Sequence, residues 1–483
     1  MIKTVSTFIK NIGFNMVADL STKLVNSILI LLLSHFLGVA AMGSYSVAHT
    51  YFTFGLLFSY WGLGNLLTRE VARSRDNYHQ YLSNFSIIRL TFAAVSILII
   101  NLIMTRFDYT QQTQVTIQII SIAILAGTII NLINALFIAF EELKYLSAIS
   151  LTVSLLRIAV SYLVLRLGGG LLAIAISYTA LEVLSLAISM AFAAHILKDF
   201  KFAFDLKFCI NQIIKAFPFF WIALLVIFDS RIEILIISFF FNETQVGYYT
   251  AMNTLIGGVA LFSEAIRNAV FPILARYQLQ APEKVPGMIL MLGKYISLIT
   301  FPIAISIFFF AEKLTFLFFD PGYTISVTLL QIVIWTFIGY SLTVVAIRLL
   351  MVHDKEKQVV LSLFISGALT LTASFLLAPR WGITGIAIIR LVTSYVLFFL
   401  CIFFISKQGY RIIEFSVLLR ILFASLALFF TTYFLFPLNP YLSLLVGLSV
   451  YGGIIWVTRV INPQDVKLWK DILSNIFNRP FQA

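Results

Sequence analysis

The sequence predicts an all-α protein that crosses a membrane many times. Of its 483 residues, 60% are hydrophobic and only 11% are charged, and the mean hydropathy is +0.99. A water-soluble chain of this length could not bury so much apolar surface. Long apolar runs recur from one end of the chain to the other, and each is long enough to cross a bilayer as a helix of about 20 residues.

The apolar runs predict about 14 spans that are separated by polar turns. Because most of these turns are short, neighbouring helices should be antiparallel. The predicted spans lie near residues 12–37, 44–66, 84–105, 114–139, 147–166, 171–194, 217–240, 248–275, 287–310, 325–350, 358–378, 383–406, 417–436 and 441–460.

Two short motifs occur once in each half of the chain. G-S-Y at 43–45 returns 204 residues later as G-Y-Y at 247–249, and G-L-L-A-I-A at 170–175 returns 212 residues later as G-I-T-G-I-A at 382–387. Two matches in the same order and at nearly the same offset indicate a duplicated half. Chance similarity between apolar helices is the alternative.

The basic residues predict the orientation, because cytoplasmic loops carry an excess of Lys and Arg. With the N-terminus in the cytoplasm, 20 of the 33 lysines and arginines fall in inner segments and 4 fall in outer segments. We therefore expect both termini to be cytoplasmic. The net charge of +12 then reflects basic loops, and no nucleic-acid partner is expected.

Several classes of protein are disfavoured by what the chain lacks. Its two cysteines, Cys209 and Cys401, cannot form a disulfide framework or a metal site. Its five histidines show no ligand spacing, and no Walker motif is present. The outer loops are too short for a surface active site. We expect no enzyme activity and no cofactor.

Nine basic residues lie in or near the predicted spans. Arg89, Lys294, Arg348 and Arg420 lie near the inner ends of their spans, where long side chains can reach the membrane surface. Five lie deeper, where a charge costs about 2.5–3.5 kcal/mol on insertion scales. These five are Lys23, Arg157, Arg231, Arg267 and Arg390.

The deep basic residues share helices with carboxylates and serines. Asp19 lies one helical turn before Lys23, Arg157 lies in a serine stripe, and Glu182 continues a polar stripe in the next span. Span 7 carries Asp229 and Glu233 on one face with Arg231 turned away from it, and Glu264 precedes Arg267 in span 8. Such charges can simply pair and fix helix packing. As a set they indicate a cavity, and arginines in a cavity suit a phosphate or diphosphate.

Two further segments are predicted to lie on the inner membrane surface. Four lysines alternate with aromatic and aliphatic residues between 195 and 216, which is typical of an interfacial amphipathic segment. The tail after Asn462 has apolar residues at helical spacing and should lie on the same surface.

Five motifs are spread over most of the chain. They are L-G-x-x-x-x-G-x-Y-S at 37–46, G-L-G-N-L-L-T-R-E-V-A-R at 62–73, E-x-x-V-G-Y-Y at 243–249, F-P-I-L-A-R at 271–276 and W-G-I-T-G-I-A-I at 381–388. Together they resemble the polysaccharide transport family, the oligosaccharide-lipid flippases of the multidrug/oligosaccharidyl-lipid/polysaccharide exporter superfamily. Each motif is moderately specific, and their order and spacing carry the resemblance.

The resemblance implies two pseudo-symmetric six-helix lobes with a cationic cavity between them, followed by two C-terminal helices. On this chain the lobes would be residues 1–197 and 217–406, joined by a cytoplasmic amphipathic linker at 198–216. The two extra helices and a cytoplasmic tail would occupy 407–483. Candidate substrate-binding residues are Lys23, Arg157, Arg231, Arg267 and Arg390, and candidate ion-coupling residues are Asp19, Glu182, Asp229 and Glu264.

The function implied is a flippase of the inner membrane that moves an isoprenoid-diphosphate-linked oligosaccharide by alternating access. Its expected partners are the lipid-linked oligosaccharide and membrane lipids, with a glycan polymerase and glycosyltransferases as further partners. Export of drugs or of a peptidoglycan precursor by the same superfamily, and a membrane enzyme of glycan assembly, are the alternatives.

Overall fold

The structure is a computed structural model that describes residues 2–198 and 200–462, without the side chains of residues 2–21, 267–269, 271–273, 275–276 and 279–280. The predicted surface segment after Asn462 lies outside the described residues. The helices are α1 (Ile2–Tyr60), α2 (Leu63–Arg73), α3 (Tyr78–Met104), α4 (Gln111–Ala139), α5 (Leu143–Arg166), α6 (Leu171–Ala193), α7 (Leu206–Phe240), α8 (Glu243–Gln280), α9 (Val285–Phe318), α10 (Thr324–Val333), α11 (Thr336–Val352), α12 (Glu356–Ser406), α13 (Phe415–Leu435) and α14 (Pro440–Val457).

Glycines divide the two longest helices at the predicted boundaries. Gly38 has φ 80° inside α1, and Gly382 has φ 64° inside α12. A positive φ is open to glycine and costly for other residues, so each glycine ends one helical segment and lets the next begin in a new direction. Residues 39–60, called the second segment of α1 below, therefore follow the first segment as a separate helix.

The described helices confirm the all-α, multi-pass fold class. Nine of them are long and apolar enough to cross a membrane, and α10 with α11, bent by 47°, would make ten. Dividing α1 and α12 at their glycines, and adding α7 and α8, gives about 14 spans. The described part of the chain contains no β-strand.

The second repeated motif occupies matching places in the two halves. Gly170 directly precedes α6, and Gly382 directly precedes the segment of α12 that begins at Ile383. The short motif therefore marks the start of corresponding helices, as expected for a duplicated half.

The chain forms two compact units. The first comprises Met1–Gly257, Thr315–Leu329 and Leu363–Ile389, and the second comprises Gly258–Leu314, Leu330–Ser362 and Arg390–Ala483. These units group residues by contact, and the division into two six-helix lobes with a linker stays a prediction.

In the first unit, α2 is an amphipathic helix whose apolar face is covered by neighbouring helices. Leu63, Leu66, Leu67 and Val71 are buried in a core with residues of α3, α4 and α7. The turn before α2 has positive φ at Trp61 and Gly62. The predicted span 44–66 therefore ends at Tyr60, because the chain turns there into α2.

In the second unit, the two C-terminal helices pack on α9. Buried apolar residues of α9, α13 and α14 form one core, and the Tyr451 hydroxyl of α14 donates to the carbonyl of Leu298 at 2.9 Å. Gly447 allows a close approach of α14 to α13, since a Cβ at this position would lie 2.6 Å from the Thr432 hydroxyl. Small residues at such crossings are typical of membrane helices.

The connection before α7 is held by side chains of α3. Asn84, which is fully buried, donates to the carbonyl of Ala203 at 2.9 Å and accepts from the backbone N–H of Asp205 at 2.8 Å. Asp205 then caps the start of α7 by accepting from the N–H groups of Lys207 and Phe208. These hydrogen bonds hold residues 200–205 against α3.

The structure corrects the expectation that Arg89 and Lys294 extend to the membrane surface. Arg89 is fully buried and Lys294 is 9% exposed. The Arg89 Nε donates to the carbonyl of Ser59 at 3.2 Å, and its guanidinium lies 5.3 Å from the centre of the Tyr60 ring. Arg89 therefore stabilises the C-terminal end of α1, where carbonyl groups lack helical partners.

Candidate functional site

The polar stripes of α5 and α6 meet in a buried ion pair. An Nη atom of Arg157 donates to Glu182 Oε2 at 2.8 Å, and the two side chains are only 12% and 15% exposed. Burying a charge is costly, and a paired opposite charge offsets part of that cost. The two predicted site residues are therefore direct partners.

Aromatic rings surround this ion pair. The Arg157 guanidinium lies 4.4 Å from the centre of the Tyr178 ring, close enough for a cation–π interaction. From the second segment of α1, Tyr45, His49 and Phe52 place their rings 5.6–6.4 Å from Tyr178. These four aromatic side chains are called the aromatic cluster below.

Helical spacing explains how one helix supplies three of these rings. Tyr45, His49 and Phe52 follow one another at steps of four and three residues, which places them on one face of the helix. They begin inside the repeated G-x-Y motif. Tyr178 and Glu182 are likewise one turn apart on α6.

A second arginine reaches the same place from α7. Arg231 lies within electrostatic range of Tyr45, His49 and Tyr178. The site therefore combines two guanidinium groups, one carboxylate and four aromatic rings, from α1, α5, α6 and α7. All of these belong to the first unit.

Two polar atoms of the site are buried without a hydrogen-bond partner in the described part of the chain. They are the Arg157 Nε and the Tyr45 hydroxyl. Most buried polar atoms in proteins are hydrogen-bonded. These two can therefore donate to a ligand without breaking an existing contact.

Neighbouring helices shape the site with small and polar residues. Gly127 of α4 lies beside the carboxylate, since a Cβ at this position would be in ordinary van der Waals contact with Glu182 Oε1 at 3.5 Å. The Thr22 hydroxyl lies 3.2 Å from that of Ser150, two turns before Arg157 on α5. The first segment of α1 thus lies along the serine stripe of α5.

The remaining candidates have other positions. Lys23 on α1 and Asp229 on α7 are exposed. Glu264 and Arg390 are half-buried and belong to the second unit. The side chains of Asp19 and Arg267 lie outside the described residues. The roles of all nine candidates stay predictions.

Sequence reasoning missed three of the four aromatic rings of the site and the partner of Glu233. Tyr45 and His49 could have been noticed from their spacing of four within an apolar span. Glu233, one turn after Asp229, accepts from the Tyr249 hydroxyl at 2.8 Å, and both side chains are buried. Tyr249 is the counterpart of Tyr45 in the repeat. The repeated G-x-Y motif was therefore the sequence signal for both tyrosines.

The first repeated motif also brings its two copies into contact. Ser46 and Thr250, which are 204 residues apart, join their hydroxyl groups at 2.9 Å. Next to this contact, Glu243 Oε1 accepts from the backbone N–H of Thr110 and from the hydroxyls of Thr110 and Thr113 at 2.8–3.0 Å. The second segment of α1, α4 and α8 are held together at the end that we predict to be outer.

No metal centre is formed by the residues that the structure describes. Among them, no three His, Cys, Asp or Glu side chains lie close enough to hold a metal ion.

A family profile described as "Polysaccharide biosynthesis protein" matches residues 8–278, more than half of the chain. The protein belongs to this family. The match covers α1 to α7 and most of α8, and therefore all the helices that form the site. A search of curated proteins finds no significant match for this family member.

Solved structures show that this polysaccharide biosynthesis protein shares its fold with transporters. The inward closed conformation of the lipid II flippase MurJ has a TM-score of 0.74 at 16% identity, covering 92% of this chain and 98% of that chain. An inward-facing multidrug resistance MATE family transporter of the MOP superfamily has a TM-score of 0.63 at 14% identity, covering 80% and 95%. The resemblance found in the motifs is confirmed.

A third solved structure concerns the polarity of the pocket. A MOP superfamily transporter from Pyrococcus furiosus Vc1, described as having a binding pocket of reverse polarity, has a TM-score of 0.56 at 14% identity. The alignment covers 84% of this chain and 96% of that chain. At this identity, all three structures establish the fold alone.

Proposed function

We propose that this protein is a flippase that moves an isoprenoid-diphosphate-linked oligosaccharide across the cytoplasmic membrane by alternating access. The observation that carries the proposal is a pair of arginines, the largely buried Arg157 and the half-buried Arg231, beside aromatic rings in a member of a polysaccharide biosynthesis family. A guanidinium binds phosphate oxygens through two parallel hydrogen bonds. Two guanidinium groups suit the two phosphates of a diphosphate.

The other parts of the substrate have matching surroundings. Sugar rings present both hydroxyl groups and apolar C–H faces, which suit the serine stripe of α5 and the aromatic cluster. The isoprenoid chain would stay in the lipid. A hydrophobic tail that never leaves the bilayer avoids the cost of entering water, which is about 0.8 kcal/mol for each CH₂.

The membrane potential would favour this movement. Carrying one negative charge out of a negative cytosol releases about 2.3 kcal/mol per 100 mV, so an uncompensated dianion releases about 4.6 kcal/mol. No nucleotide is then needed as the direct source of energy.

Export of a peptidoglycan precursor is the second candidate. The lipid II flippase MurJ shares the fold over almost its whole length. An arginine site for a diphosphate suits both glycan lipids. The two candidate substrates therefore differ only in the sugar that the site must accept. Export of cationic drugs fits less well, because Arg157 and Arg231 would repel a cation.

The test is a flipping assay in proteoliposomes with a fluorescent prenyl-diphosphate oligosaccharide. We expect Arg231→Gln to slow flipping at least tenfold at equal protein levels. Arg166→Gln, an exposed arginine at the end of α5, is the matched control and should keep the wild-type rate. Wild-type flipping by Arg231→Gln would refute the assignment of the site.

A measurement of sidedness in cells complements this assay. A deletion strain should accumulate the labelled glycan lipid on the cytoplasmic leaflet, and the intact gene should relieve the accumulation. Normal surface glycan combined with lost resistance to cationic dyes would instead support a drug exporter.

A further inference from the structure

The Arg157–Glu182 pair leaves half of one guanidinium edge unused. An arginine binds a carboxylate or phosphate side-on through its Nε and the adjacent Nη. Arg69 uses both atoms of this edge on Glu70, at 2.9 and 2.7 Å. Arg157 uses only the Nη, at 2.8 Å, while its Nε has no partner in the described part of the chain.

We infer that Glu182 competes with the substrate's diphosphate for Arg157, so that substrate binding drives the uptake of one proton by Glu182. This inference rests on the proposed function. A phosphate that takes the whole edge competes with the carboxylate for the Nη. Glu182 would then be a buried carboxylate without its cation, which is costly unless it gains a proton.

The charges of the site give the same result. Arg157, Arg231 and Glu182 carry one net positive charge when Glu182 is ionised. A diphosphate esterified at both ends carries two negative charges. Protonation of Glu182 raises the net charge of the three side chains to two, which balances the ligand. An unbalanced charge costs most where the surroundings exclude water.

The groups around Glu182 come from five helices. They are Tyr45 and His49 of α1, Gly127 of α4, Arg157 of α5, Tyr178 beside Glu182 on α6, and Arg231 of α7. Among them, His49 is of the one side-chain type that ordinarily changes charge between pH 5 and 8. A test must therefore separate Glu182 from His49.

The proposed proton uptake can be measured through the effect of pH on substrate affinity. If substrate binding favours protonated Glu182, then protonation favours binding by the same factor. Uptake of one proton weakens binding by up to about tenfold for each pH unit of alkalinisation. Proton and glycan lipid would thus bind to the site together.

The experiment measures the affinity of the purified protein in nanodiscs for a farnesyl diphosphate that carries one hexose. Both phosphates of this probe are esterified, so its charge is constant between pH 6 and pH 8. We expect wild-type binding to be at least tenfold weaker at pH 8. Glu182→Gln should bind equally at both pH values, as tightly as the wild type at pH 6. His49→Gln should keep the wild-type dependence.

A matched control and a second measurement complete the design. Glu142, directly before α5, pairs at 2.9 Å with Lys144 of the first turn of α5. Glu142→Gln therefore removes the same charge from an ion pair outside the site and should keep the pH dependence. Calorimetry in buffers of different ionisation enthalpy should show about one proton taken up by the wild type and none by Glu182→Gln.

The possible failures are distinct. If the wild type binds the probe without pH dependence, or if Glu182→Gln keeps the dependence, the coupling is refuted and the proposed function stands. If neither the wild type nor Glu182→Gln binds the probe at either pH, the proposed function fails together with the inference.

Discussion

Gly43 and Gly247 lie where the second segment of α1 crosses α8, and each glycine faces the backbone of the helix that carries the other. A Cβ at Gly43 would lie 2.9 Å from the backbone nitrogen of Gly247, and a Cβ at Gly247 would lie 3.0 Å from the carbonyl carbon of Val39. Val39 precedes Gly43 by one helical turn, and Glu243 precedes Gly247 by the same number of residues. The contact is therefore reciprocal, as at a two-fold axis.

A side chain at Gly43 should separate the two helices. Gly43→Ala places a methyl group against the backbone of α8, and overpacking of this kind typically costs about 1–3 kcal/mol. We expect a clear fall in the midpoint of thermal unfolding in detergent. Gly257→Ala is the control on α8, because nothing lies within 4 Å of its Cβ position. Equal midpoints for the two variants would contradict the close crossing.

Cross-linking the two repeats should stop transport. The Ser46 and Thr250 hydroxyls are 2.9 Å apart, so Ser46→Cys with Thr250→Cys is expected to form a disulfide on oxidation. Alternating access requires this end of the helices to separate, and flipping should fall at least tenfold and return with a reductant.

The control for the cross-link joins two helices of the first repeat. Thr128 donates to the Ser59 hydroxyl at 2.8 Å, so Ser59→Cys with Thr128→Cys should form a disulfide without loss of flipping. Full activity of the oxidised Ser46–Thr250 pair would show that this contact stays closed throughout transport.

The buried ion pair predicts a specific pattern of stability. Arg157→Met leaves Glu182 as a buried carboxylate without its cation, which should cost about 3–5 kcal/mol. Adding Glu182→Leu removes that charge, and an apolar pair of similar volume should restore most of the stability. Thermal unfolding of the two single variants and the double variant tests this. Additive losses would show that the two side chains are not coupled.

Acid should weaken the contact at the start of α8. Burial of Glu243 raises its pKa, but the hydrogen bonds from Thr110 and Thr113 outweigh this effect, so its pKa in the folded protein lies below the ordinary value of 4.5. The stabilisation is therefore complete above pH 4.5 and is lost as the pH falls through the lower folded value.

Thermal unfolding between pH 3 and pH 7 measures this contribution. Glu243→Gln keeps the accepting oxygen and removes the charge, so its stability should fall less steeply on acidification than that of the wild type. Glu283→Gln, in an exposed turn before α9, should follow the wild type. An identical acid response in all three proteins would exclude Glu243 as the source.

The sequence predicted the parts of the fold that depend on local patterns. The gap between the predicted spans 12–37 and 44–66 contains Gly38, and the two helical segments of α12 were predicted as separate spans. Both boundaries follow from glycine and from hydropathy, which are properties of neighbouring residues. The serine stripe of α5 likewise placed Arg157 on a polar face before its partner was known.

The depth and the partners of side chains could not be predicted, because they depend on packing between distant segments. Arg89 lies near the inner end of its predicted span, yet it is buried against the end of α1. The turn at Trp61 and Gly62 was not anticipated inside a continuous apolar run. The ion pair joins residues on two helices, and periodicity shows which face a residue occupies but not which helix covers it.

A residue on a two-fold axis of a dimer touches its own copy in the partner chain. Ser46 and Thr250 occupy the same position in the two copies of the repeat. In a dimer of identical half-length chains, the residue at that position would contact the same residue of the partner chain. A hydroxyl group both donates and accepts hydrogen bonds, so two copies satisfy each other. Two carboxylates or two ammonium groups would repel there. A self-pairing ancestor could therefore have been fused into one polypeptide without inventing a new contact at its centre.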